Sequence, residues 1–88
     1  MSQNLQEPQL FTLSSGTLTI LFARSVSVLS LGGTTDVNNV STQTMSIPDG
    51  VTLEVDADTG NTLNTITIAP TGGVAYIVVL SGLCTFTP

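Results

Sequence analysis

Lysine, histidine and tryptophan are missing from these 88 residues, and one cation, Arg24, stands against six acids, Glu7, Asp36, Asp49, Glu54, Asp56 and Asp58. Each absence excludes a class of function. Without histidine or lysine the chain lacks most general bases, most neutral metal ligands and every compact phosphate-binding cation, and a nucleophilic triad fails for want of an imidazole. A net charge of −5 cannot neutralise a run of phosphates, the term that supplies most nucleic-acid affinity. The same shortage excludes a polybasic attachment to anionic lipid, and no run of about 18 apolar residues exists to span a bilayer. Cys84 is the one cysteine, so no intrachain disulfide can form and no thiolate cluster can hold zinc. An enzyme is not expected, nor is a cofactor. The first eight residues, Met1 to Pro8, have no basic stretch leading into an apolar one, so no secretory signal is read there. Synthesis in a reducing cytoplasm is the expectation.

Hydroxyl groups stand where charges are missing. Charged residues make up 8% of the chain against roughly 25% in an average soluble domain, whereas Thr and Ser fill 24 of the 88 positions. Threonine is β-branched and favours extended backbone, and both residues disturb helix interiors by offering competing hydrogen bonds. The composition predicts β structure. Periodicity agrees: Leu18, Ile20 and Phe22 recur at every second position, as do Leu53 and Val55, and Ile66 and Ile68. Ser25 to Leu31 alternates at Val26 and Val28 and then changes phase to Leu29 and Leu31, which reads as a β-bulge or a strand changing sheets. The stretch Gly32 to Asn39 reads as a turn-rich loop, followed by a polar strand from Val40 to Ile47. Pro48-Asp49-Gly50 is the strongest turn signal, Pro70 is expected to stop the strand that begins near Leu63, and Val74 to Leu80 is apolar on both faces, as in a central strand covered on both sides or covered on one side by a partner. Seven or eight short strands at this spacing imply an all-β domain, a small sandwich, jelly roll or barrel. It would occupy residues 10–88, behind an extended arm at 1–9.

Few motifs carry chemistry. Asp56-Ala57-Asp58 opens like a calcium loop, but Gly60, Asn61 and Thr67 stand where further ligands belong, so a solvated turn is the preferred reading. Asp49, Glu54, Asp56 and Asp58 are in principle available as paired glycosidase acids, yet a chain this short has little volume for a cleft. Cys84 lies in an apolar strand and reads as a small buried hydrophobe. Arg24 has two open readings, an interface fork to a carboxylate of a partner or of Asp36, and an exposed loop residue.

Edge protection is the informative gap. Isolated β domains guard their edges with lysine, inward charges, bulges or proline, and here Leu10 to Leu31 and Val74 to Phe86 are nearly bare. The expected remedy is pairing with copies of itself or with another protein, the segment Leu10-Phe11-Thr12-Leu13 lying along a neighbour. Leu5, Leu10, Phe11, Leu13, Arg24 and Tyr76 are the candidate partner contacts. Together with the turns Ile47-Pro48-Asp49-Gly50 and Ala69-Pro70-Thr71-Gly72-Gly73 and the Val74–Leu80 strand, this pattern resembles small virion structural proteins of tailed bacteriophages, particularly capsid decoration or cement proteins. The resemblance implies a non-enzymatic β-rich protomer, a homotrimer or other small oligomer, bound to the major capsid protein on the outside of the shell and stiffening it. A head–tail connector, a tail or fibre module, or a small adhesion domain binding carbohydrate or protein is the alternative.

Overall fold

The alternating pattern becomes nine strands in a computed structural model that describes residues 8–39 and 44–88. They are β1 (Pro8–Leu13), β2 (Thr17–Leu21), β3 (Ser25–Leu31), β4 (Thr34–Asn39), β5 (Thr44–Ile47), β6 (Thr52–Asp56), β7 (Ile66–Thr71), β8 (Val74–Leu80) and β9 (Leu83–Thr87). Two antiparallel sheets hold them, in the orders β1-β8-β3-β6 and β5-β4-β7-β2-β9. Four pairings are nested, β4 with β5, β3 with β6, β2 with β7 and β1 with β8. A single antiparallel ribbon has therefore been rolled up, and the rolling adds β3 to β8 and β4 to β7. That connectivity is a jelly roll, with β9 appended beside β2.

The roll needs a corner, and glycine makes it. β3 runs against β8 and β4 against β7 in one unbroken register, Leu31 opposite Val74 and Thr34 opposite Thr71. Both chains pass from one sheet to the other between those pairs, at Gly32-Gly33 and Gly72-Gly73. A Cβ on Gly73 would lie 2.5 Å from the Gly33 nitrogen and 2.6 Å from the Gly32 carbonyl carbon, and one on Gly33 would lie 2.6 Å from the Gly72 carbonyl carbon. Gly32 and Gly72 supply φ of +81° and +77°, so in each pair the first glycine bends the chain and the second lets the backbones touch. Asp49 reaches this corner from the Pro48-Asp49-Gly50 turn. Its Oδ1 accepts the Gly32 N–H at 2.8 Å and pins the corner from outside.

The core lies between the sheets, built from Leu13, Leu18, Ile20, Val26, Val28, Val37, Ile47, Ile66, Ile68, Ala75, Ile77 and Val79. Three sequence expectations change here. No bulge interrupts β3, whose registers with β6 and β8 are continuous; the other reading of the phase change, a strand changing sheets, is met just past Leu31 at Gly32-Gly33, and Ser30 rather than Leu29 or Leu31 turns inward. A buried hydroxyl needs partners, and Ser30 Oγ donates to the Gly33 carbonyl at 3.0 Å while accepting from Thr35 Oγ1 at 3.0 Å. Residues 34–39 form β4 rather than a loop, because Thr35 and Val37 face the core while the polar residues between them face water. Pro70 sits inside β7 instead of ending it. It is tolerated because the last β2 partner is Ile68, so no ladder donor is lost on that side. The part of the expected Val40–Ile47 strand at 40–43 falls outside the described residues.

One bend is strained. Phe22, which closes β2, has φ of +61° and is 61% exposed. A bulky side chain in the left-handed region is an outlier, at a cost of about 1–2 kcal/mol. Replacing it with glycine removes that cost without emptying the core, so Phe22→Gly is expected to raise unfolding stability by about 1 kcal/mol, read from the urea midpoint at an unchanged m-value. A drop in the midpoint would mean that the ring packs.

Candidate functional site

Alternation gives each sheet an outer face, and the two faces differ in chemistry. On the second sheet, Thr44, Asn38, Thr67, Thr19 and Thr85 line up as one row across all five strands. This is a hydrated surface of neutral hydroxyl and amide groups. On the first sheet the outward side carries three apolar pairs, Leu10 with Val78, Leu29 with Tyr76, and Leu31 with Val74, with Thr12, Ser25 and Ser27 among them. Leu10 is 68% exposed, and Leu31, Tyr76 and Val78 are each near 40%. Three strands six or seven residues long present roughly 300 Å², the size of the largest apolar patch on a typical monomer, which is often functional. β6 bounds the patch with Glu54 opposite Ser27 and Asp56 opposite Ser25.

The partner-contact candidates divide on this surface. Leu10 and Tyr76 stand together on the outer face, joined by Leu29, Leu31, Val74 and Val78, which the sequence reading left out. The signal for Val78 was present in the two-faced apolarity of β8, and no described part of this chain covers the outer side of β8. Leu13 is buried in the core and so is not available at the surface, and Phe11 is half-buried against that core. The segment Pro8–Leu13 pairs with β8 of its own chain and is not left over to complete a neighbour's sheet, because its inward residues close this chain's core. Pro8 and Gln9 thus belong to the domain rather than to the arm. Leu5 lies outside the described residues.

Arg24 is half-buried between β2 and β3. Its N–H donates to the Leu80 carbonyl at 2.9 Å and its carbonyl accepts from Ala57 at 2.9 Å, while its Nε is buried without a hydrogen-bond partner. Asp36, the carboxylate that the sequence set against it, accepts from the Ser46 hydroxyl at 2.7 Å instead. Asp56 and Asp58 are exposed, and among the described residues no group of three or more histidine, cysteine or carboxylate side chains converges as a metal site. Cys84 is half-buried on β9, where burial pushes its thiol above the ordinary value.

The two flanks of the sandwich also differ. One is formed by β5 and β6, with the acids Glu54 and Asp56 and the turn Pro48-Asp49-Gly50 joining them. A cleft of about 140 Å³ opens there between the sheets, lined by Val37, Asn39, Met45, Val55 and Ile66. It is smaller than the 300–1,000 Å³ usual for ligand pockets. The other flank is formed by β1 and β9, which carry no charge. Gln9 on β1 reaches the Gly82 carbonyl before β9 at 3.4 Å, and a Cβ on Gly16, in the β1–β2 turn, would lie 2.8 Å from the Phe86 ring.

No family model matches the chain, and comparison with curated proteins finds no match. Among solved structures, the fold is similar to a crystal structure of a protein of unknown function from Vibrio parahaemolyticus, targeted domain 2–94. The TM-score is 0.58 at 16% identity, over 90% of this chain and 80% of that one. A likeness at that identity is one of fold alone.

Proposed function

We propose that this chain is a non-catalytic structural module of a virus particle, a decoration or cement protein that binds the outside of the shell as a small oligomer. The observation that carries the reading is the apolar part of the first sheet's outer face, on β1, β3 and β8, formed by Leu10, Leu29, Leu31, Val74, Tyr76 and Val78, which nothing in the described chain covers. An apolar patch of this kind marks a contact surface, and the major capsid protein is the partner the sequence resemblance suggests. The jelly-roll connectivity is in keeping, since viral capsid domains use it, although lectins and cupins do too, and that support is by analogy of fold. The charge of −5 suits the outside of a particle, because an anionic protein would be repelled by packaged DNA.

The test is sedimentation of particles from cells that make the tagged chain. The wild type is expected to travel with large particles at hundreds of copies per shell, and Val78→Glu to be lost from them at least about 100-fold, since a carboxylate buried in an apolar contact is left unsolvated. Val78 is exposed, so circular dichroism should be unchanged. Thr19→Glu, on the opposite face, should bind as wild type. A chain that sediments alone, or a Val78→Glu variant that still travels with particles, sinks the reading.

A further inference from the structure

Four strands lie at sheet edges, β1, β5, β6 and β9, and their protection is uneven. β6 carries Glu54 and Asp56, and β5 runs into Pro48. Charges, brevity and proline are the devices that stop edge-to-edge pairing. β9, Leu83-Cys84-Thr85-Phe86-Thr87, carries no charge and has only Pro88 after it, and it bonds to β2 on one side only.

A second observation concerns Phe86. It lies opposite Leu18, a core residue 1% exposed, so its ring is on the inward side of the sheet, yet it is 52% exposed. The core is therefore open along this flank, with an aromatic ring at its mouth. Leu83, beside it on the outer face, is 61% exposed.

The geometry points to β9 as a self-association seam, where it pairs antiparallel with β9 of a second copy across a two-fold axis perpendicular to the sheets. A second copy is the occupant that the charges select. The β1–β9 flank brings no carboxylate against another, whereas the β5–β6 flank would set Glu54 and Asp56 against their own copies. With Thr85 at the axis, Cys84 faces Phe86 of the second copy, and each sulfur meets the ring that the other chain leaves open. The five-stranded sheet then continues across the seam. Such an interface is isologous and builds pairs; the trimer suggested by sequence would need a contact between two different surfaces. A flank two strands deep is roughly 20 by 20 Å, about 400 Å² per copy, below the roughly 800 Å² per partner of a stable complex, so the pair forms reversibly with concentration.

The inference rests on the reading of this chain as an assembly module, and its test is separate. Light scattering across a concentration series should show the wild type moving from one chain to two, and Thr85→Lys staying at one chain with an unchanged circular dichroism spectrum. Thr52→Lys, on the β6 edge, should pair as wild type. Thr85→Cys in a Cys84→Ser background should form a covalent dimer on mild oxidation, because residues directly opposite bring Cβ atoms about 4.5–5.5 Å apart, and this result does not depend on the lysine variant folding. A wild type of one-chain mass at every concentration overturns the seam, as does pairing that survives Thr85→Lys but is lost with Thr52→Lys. Either result leaves the Val78→Glu sedimentation test standing, since Val78 lies on the other sheet.

Discussion

Gly73→Ala is expected to lose about 3–4 kcal/mol or more of stability, and to leave much of the chain unfolded at 37 °C. The added methyl would meet backbone of the opposing strand at three atoms within 2.6 Å, the Leu31 carbonyl oxygen, the Gly33 nitrogen and the Gly32 carbonyl carbon. None of them can rotate aside. Moving them would open the unbroken register of β3–β4 against β7–β8, and with it the buried Ser30–Thr35 hydroxyl pair that closes on the Gly33 carbonyl. An 88-residue domain has only about 4–13 kcal/mol in total, so the loss is a large share. Gly50→Ala is the comparison. Gly50 has φ of +84° but nothing within 4 Å of a Cβ, so only the left-handed backbone cost of about 1–2 kcal/mol applies. Urea unfolding of both variants separates steric contact from backbone preference. Equal midpoints would show that the corner gives way and that its glycines serve only as turns.

Ile77→Ala is expected to cost about 3–4 kcal/mol, and Val78→Ala less than about 1 kcal/mol, although the two are neighbours on β8 with similar side chains. Ile77 is fully buried, set between Phe11 on β1 and Val28 on β3. Truncation there leaves a cavity that rigid sheets cannot close. Val78 is 41% exposed, and its truncation removes atoms that already touch water. The pair measures which face of β8 is packed in the isolated protein. A Val78→Ala loss as large as that of Ile77→Ala would mean that the outer face is covered by something stable, and the apolar surface assigned to the shell contact would already be occupied.

The outward residues of β8 show how far sequence reaches. A strand apolar on both faces is legible as central or partnered, and Val74–Leu80 does take an inner position in its sheet. The sequence could not tell which face would be left open, because that depends on where the other sheet lies. The bulge reading of the Leu29–Leu31 phase change failed for a related reason. Local pattern rules assign the inward face to the more apolar residues, but Ser30 goes inward because Thr35 and the Gly33 carbonyl, brought in by the corner, satisfy its hydroxyl. β4 was missed because Thr34 to Asn39 is polar, and its two core residues, Thr35 and Val37, are too few to signal without their neighbours.

The amino-acid order by itself determined the all-β class, most strand positions and the shortage of ionic groups, since these follow from side-chain branching, two-residue periodicity and charge counts, which act locally. Only the tertiary structure decided that Pro8–Leu13 completes its own sheet, that the paired glycines are a contact between strands rather than two separate turns, and that the apolar outer face, the charged flank and the bare flank are three different surfaces. Those outcomes depend on which strands become neighbours when the ribbon rolls, and that is fixed by the joint packing of residues some forty positions apart rather than by any one stretch of chain.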